Sequence, residues 1–106
     1  MKHHITQEGK KAILNLEDNI TAANVPDLRE IIKELVAQGV NDIVVDLTSV
    51  QVIDSSGIGL LVATHNSLAR LSGTMEVINT SPDLLELFKA FRLDKHFSIL
   101  GKSVTP

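Results

Sequence analysis

The chain has 106 residues, 43% of them hydrophobic and 22% charged, with a formal net charge of −3. Area scaling predicts that folding buries roughly 65% of the chain's surface, enough for one core and too little for two. The absence of cysteine excludes a disulfide scaffold, a thiolate metal site and a cysteine nucleophile.

The acidic balance lacks the basic footprint of a nucleic-acid binder. Three Phe with no Trp or Tyr argue against stacking of single strands. The opening Met-Lys-His-His-Ile-Thr-Gln-Glu has no apolar h-region. The longest apolar stretch, Ile58 to Ala63, is far short of the ~20 residues of a spanning helix. A soluble, cytoplasmic protein without membrane insertion is expected.

In chain order, residues 2–8 and 11–16 read as a hairpin turning at Gly9. Ala12, Leu14 and Leu16 alternate with Ile13 and Asn15, which predicts a second strand covered on both faces. Thr21 to Gly39 reads as a helix capped by Thr21 or Asn24, with Pro26 in the first turn and Gly39 as the stop. Its stripe is Val25, Leu28, Ile31, Ile32, Leu35 and Val36. Asp42 to Leu47 is a β-branched run with the pattern of a central, buried strand.

After a short connection, Ser55 to Ser72 reads as a helix stopped by Gly73. Ile58, Leu61, Val62, His65, Leu68, Ala69 and Ser72 share its predicted buried face, with His65 as a core or half-buried histidine. Leu60 falls on the opposite side, with Thr64 and Ser67. An exposed leucine there is a candidate partner contact. Thr74 to Asn79 reads as a strand, and Ser81-Pro82-Asp83 opens a helix through Phe91. Leu84, Leu87, Phe88 and Phe91 form its stripe, Phe97 to Leu100 reads as a last strand, and residues 101–106 as a frayed tail. The order β-β-α-β-α-β-α-β predicts one α/β domain, a mixed sheet of 4–5 strands with 3–4 helices.

The chemistry-bearing segment is Asp54-Ser55-Ser56-Gly57-Ile58-Gly59, between the central strand and the next helix. Open α/β sheets place their sites at the carboxyl ends of strands, so Asp46 and Asp54 are expected near one another. A Gly-x-Ser-x-Gly elbow is missing, and no histidine has a spacing that argues for a base, so no nucleophile–base–orienter set can be named. Gly57-x-Gly59 carries only two glycines of a dinucleotide pattern. Close packing of helix on sheet explains it better. Asp42, Asp46 and Asp54 are scattered acids without a metal-binding loop. Neither an enzyme activity nor a metal or cofactor is expected.

Asp54 caps the helix by accepting from backbone N–H groups. That leaves two consecutive hydroxyls exposed at a helix start. Phosphorylation there adds ~−1.5 to −2 charge, which converts a neutral docking surface into a strongly negative one.

The run Asp42-Ile-Val-Val-Asp-Leu-Thr-Ser-Val-Gln-Val-Ile-Asp54-Ser55-Ser56-Gly57-Ile-Gly-Leu-Leu resembles the signature of STAS domains, most closely the bacterial anti-sigma factor antagonists. The Ala22-Ala23-Asn24-Val25-Pro26-Asp27-Leu28 opening and the Ser81-Pro82…Leu87-Phe88…Leu93 segment are similar as well. The resemblance implies the STAS fold and a regulatory binding protein. In that family the unphosphorylated form binds an anti-sigma factor, itself an ATP-dependent serine kinase, and frees the sigma factor. The kinase modifies the serine after the motif Asp, here Ser55. Ser56 matches the second hydroxyl, and a metal-dependent serine phosphatase resets the switch. The sequence departs from the family at Asp18-Asn19-Ile20-Thr21, where Thr21 replaces an Asp and removes a negative charge beside Ser55.

Ser55 is therefore the expected phosphorylation site. Asp54, Ser56, Gly57, Thr21, Asn24, Asp46 and Leu60 are the expected partner surface. A scaffold or transport-complex subunit without a switch, and a small-ligand or nucleotide sensor, are the competing readings.

Overall fold

The computed structural model describes residues 1–102. The strands are β1 (His3–Glu8), β2 (Lys11–Leu16), β3 (Asp42–Asp46), β4 (Thr74–Thr80) and β5 (Ser98–Gly101). The helices are α1 (Val25–Ala37), α2 (Ser55–Arg70) and α3 (Pro82–Ala90), and a 3₁₀ turn spans Leu93–Lys95. The element order and the mixed α/β class are those expected. The strands lie in the order β1-β2-β3-β4-β5. β1 is antiparallel to β2, and the remaining neighbours are parallel. Each parallel step needs a crossover, and α1, α2 and α3 supply them in turn.

The helices cover one face of the sheet. Ala12, Leu14, Leu16, Ile43, Val45, Met75 and Val77 join one buried cluster with Leu28 and Ile32 of α1, Leu61 and Leu68 of α2, and Leu84 and Phe88 of α3. The central strand is buried as expected through Ile43, Val44 and Val45, but Val44 faces away from that cluster. The expectation that β2 is covered on both faces is corrected here. Ala12, Leu14 and Leu16 are fully buried while Ile13 is 37% exposed, because the helices pack on the other side.

Helix boundaries follow cap geometry. α1 begins at Val25 rather than Thr21. Residues 21–24 form a preceding turn in which the Thr21 carbonyl accepts from the N–H groups of Asn24 and Val25. Asn24 holds the N-cap position, but its side chain makes no capping bond. Gly39 ends α1 as expected, with the Val40 N–H reaching back to the Leu35 carbonyl.

α2 ends at Arg70, and the left-handed residue is Ser72 (φ 58°), not Gly73. The Gly73 N–H closes the turn on the Leu68 carbonyl at 2.7 Å. Gly73 serves close approach instead: a Cβ there would sit 1.8 Å from the Asn41 carbonyl oxygen. The Ser81 hydroxyl caps α3 at the Leu84 N–H, 3.3 Å away. Phe91 lies one residue past α3 and is 57% exposed. It therefore leaves the predicted stripe, and Leu93 is buried after the left-handed Arg92.

Gly101 is not frayed. It closes β5, and the Lys102 N–H donates to the Thr80 carbonyl. Residues 103–106 of the expected tail lie outside the described residues.

Gly73→Ala is expected to destabilise the fold by at least ~2 kcal/mol, because the added methyl meets backbone rather than a flexible side chain. Urea unfolding followed by circular dichroism measures this.

Candidate functional site

Two loops leave the carboxyl ends of β2 and β3 and are tied together backbone to backbone. The Ile20 N–H donates to the Val52 carbonyl at 3.0 Å, and the Asp54 N–H donates to the Ile20 carbonyl at 3.1 Å. Ile20 and Ile53 form an isolated parallel bridge that extends the sheet by one step. Asn19 completes the joint. Its Oδ1 accepts from the N–H groups of Gln51 (3.0 Å) and Val52 (3.1 Å). The Asn24 amide donates to the Asn19 carbonyl at 2.6 Å.

Asp54 is the N-cap of α2. Its Oδ1 accepts from the Gly57 N–H at 3.0 Å and its Oδ2 from the Ala22 N–H at 2.9 Å. One carboxylate thus caps the helix and holds the opposite loop. The Gly57 bond, then the Ala22 bond, hold the Asp54 carboxyl below the ordinary aspartate range. Gly57 is buried under Ile20: a Cβ there would lie 2.6 Å from the Ile20 carbonyl oxygen. The helix start can reach this loop only with a glycine at that position.

Ser55 and Ser56 follow directly and are both exposed. Val52, Ala22, Ala23 and Gly59 are exposed as well. Thr21 is half-buried beside Ala22, and α2 has no acid in its first turn.

Of the expected partner surface, Leu60 and Gly57 are buried, and Asp46 is bonded to neighbouring strands. Leu60 is only 5% exposed. It lines the contact of α2 with α1, beside Ile32 and Val36, and the Thr64 hydroxyl donates to its carbonyl. The buried arc of α2 is rotated toward Leu60 and Thr64, because α1 packs there, while Ala69 and Ser72 are exposed. Gly57 is internal rather than a surface for a partner.

Asp46 shares no hydrogen-bond partner with Asp54. Its Oδ1 accepts from the N–H and hydroxyl of Thr48 and from the Asn79 amide, and its Oδ2 accepts from the Asn15 amide at 3.4 Å. Burial raises its pKa, but the Thr48 and Asn79 bonds outweigh this and leave it lowered. Asp46 stitches three neighbouring strands.

Sequence reasoning assigned no role to Asn19, Ile20 or Val52. Asn in a turn before a helix is a local signal for backbone bonding, but its cross-loop partners are 32 and 33 residues away. His65 is half-buried as expected, with its ring 5.6 Å from that of Phe97. It lies about 15 Å along α2 from Ser55 by helical rise.

No helix among the described residues is long and apolar enough to cross a membrane. Among the same residues, no cluster of His, Asp and Glu could hold a metal ion.

The STAS domain family model matches residues 4–104, and the chain belongs to that family. The anti-sigma-B factor antagonist of Bacillus subtilis (strain 168) is 31% identical over 90 residues, 85% of this chain and 82% of that protein. Among solved structures, an anti-sigma factor antagonist from Mycobacterium paratuberculosis superposes with a TM-score of 0.82 at 23% identity, covering 93% of this chain and 84% of that one. The Bacillus cell fate determinant SpoIIAA in its phosphorylated form has a TM-score of 0.73 at 20% identity, covering 92% of this chain and 90% of that one. These relatives are regulatory proteins by name, and the two solved neighbours share the fold.

The Asp54 pKa is lower folded than unfolded. Its contribution to stability is therefore complete above the ordinary carboxylate range near pH 4 and is lost as the pH falls through the folded-state value. Urea midpoints measured from about pH 5 to pH 2 should fall less steeply in Asp54→Asn than in the wild type. The amide keeps a cap but cannot titrate.

Proposed function

We propose that this chain is a cytoplasmic binding regulator whose docking surface is built around Ser55 and is switched off by phosphorylation of that hydroxyl. The partner is an anti-sigma factor with ATP-dependent serine kinase activity, which the unphosphorylated chain sequesters so that a sigma factor is released. A metal-dependent serine phosphatase restores the hydroxyl.

The observation that carries this reading is the division of labour at the start of α2. Both Asp54 oxygens are engaged by backbone N–H groups, and the exposed serine follows at the first helical position. The Ser55 oxygen takes the γ-phosphoryl group of ATP, ADP leaves, and the hydroxyl proton passes to the kinase's base. The product adds ~−1.5 to −2 charge next to the Asp54 carboxylate, which cannot turn away without releasing Gly57 and Ala22. The fold persists, and an interface built for a neutral hydroxyl is lost. The curated Bacillus subtilis relative is named an antagonist of an anti-sigma factor, and a neighbour of the same fold is known in a phosphorylated form. Both support this reading.

Gly59 belongs to the same surface. It sits inside α2, exposed, with nothing within 4 Å of the position a Cβ would take. Glycine there weakens the helix by ~1 kcal/mol relative to alanine, and no internal packing explains it. A partner backbone approaching α2 at this point explains it.

Phosphosite mapping after incubation with ATP and lysate of the source cells should find phosphate on Ser55, absent from Ser55→Ala and retained in Ser56→Ala. Partner capture should survive Ser55→Ala and weaken by at least about tenfold in Ser55→Asp. Equal capture by both variants, with no phosphate at Ser55, would favour the scaffold or transport-complex reading. A rise in melting temperature on adding a nucleotide would favour a ligand sensor. Gly59→Ala should raise stability by about 0.5–1 kcal/mol, and Gly59→Gln should impair partner capture without unfolding the chain.

A further inference from the structure

We propose that the open edge of β1, with the groove between β1 and α1, is a second docking site. It takes an extended strand of a partner protein that carries one apolar side chain flanked by two basic ones.

β1 is an edge strand of six residues paired in continuous register with β2. The Lys2 carbonyl accepts from the N–H of Glu17, 2.9 Å away, which sets the alternation of the ladder. His4, Thr6 and Glu8 turn their backbone groups toward β2, and His3, Ile5 and Gln7 turn theirs outward. β1 contains no proline or lysine and pairs without a bulge, the usual devices that block an edge. The opposite edge, β5, is four residues long and pairs with a register shift.

The side chains of His3, Ile5 and Gln7 line a groove of about 420 Å³ against α1. Its apolar floor is Ile5, Ile31 and Leu35, and Glu30 and Glu34 stand on its α1 side, both exposed. Glu30 pairs with exposed Lys33 at 3.7 Å, and Glu34 accepts from the Gln38 amide at 3.2 Å. These are solvent-exposed contacts that a bound cation can share or replace. An antiparallel strand added to β1 places the side chain opposite Ile5 over that floor. The side chains two residues to either side lie on the same face. Glu30 and Glu34 select lysine or arginine at those two positions. The backbone edge supplies affinity and the groove supplies selection, the usual logic of strand addition. A second copy of this chain fits less well, because its β1 offers His3 and Gln7 on either side of Ile5 and no lysine or arginine. No residue named in this groove belongs to the Asp54 joint, so the site does not rest on the Ser55 reading.

The test uses the peptide acetyl-Thr-Lys-Thr-Val-Thr-Lys-Thr-amide with the full chain, followed by amide hydrogen exchange and chemical shifts. Saturating peptide should slow exchange of the His3, Ile5 and Gln7 amides by at least about tenfold and shift resonances of α1 around Ile31. N-methylation of the peptide valine, or glutamate in place of both lysines, should weaken binding by about tenfold or more. The Glu30→Lys/Glu34→Lys double variant should reverse the charge preference. Ser55→Asp should bind the peptide like the wild type, so failure of the switch reading leaves this result untouched. Unchanged exchange at the three amides would overturn the proposal. So would equal binding of the N-methylated peptide, or a concentration-dependent dimer that protects the same amides without peptide.

Discussion

The joint between the loops after β2 and β3 is the constraint on which the functional end of the molecule depends. Each loop would be an irregular connection by itself. Together they exchange the Ile20 N–H to Val52 carbonyl bond and the Asp54 N–H to Ile20 carbonyl bond. Asn19 and Asp54 then accept from the N–H groups of Gln51, Val52, Ala22 and Gly57 through side-chain oxygens. Buried or half-buried backbone groups must find partners, and here they find them across the two loops. The start of α2 is consequently held against a fixed platform, and the two serines project from it at a defined place.

The one-sided arrangement of helices has consequences for every surface of the protein. Three crossover helices on one face make a single core, and leave the other face of the sheet to a mixture of polar side chains with Ile13, Val44 and Ile78. The loops at the carboxyl ends of the parallel strands gather at one end, where α2 begins. The hairpin places β1 at one edge, beside α1 and far along the sheet from β5. The start of α2 and the free edge of β1 are surfaces that share no residue.

Much of the fold was legible because its signals are local. The Ser81-Pro82-Asp83 opening, the Gly39 stop and the apolar run of β3 each announce an element through the residues that form it. Asp54 as a cap was legible for the same reason. Leu60 was misplaced because a helical wheel has no absolute orientation. With apolar residues spread around α2, only the position of α1 decides which arc is buried. Ile13 was misplaced because alternation in β2 does not say whether a second layer of helices exists. Phe91 looked like the last turn of a stripe, and one residue of helix shortening moved it to the surface.

The sequence by itself determined the order of elements, the class of fold and the Asp-Ser-Ser-Gly segment at a helix start. These depend on periodicity, capping and turn chemistry within a few residues of one another. Only the tertiary structure decided that Asp54 also holds Ala22, that Gly57 is seated on Ile20, and that Asp46 bonds Asn15 and Asn79 of the neighbouring strands. Those contacts join residues about 30 or more positions apart, and a chain's local preferences carry no record of the distances between packed elements.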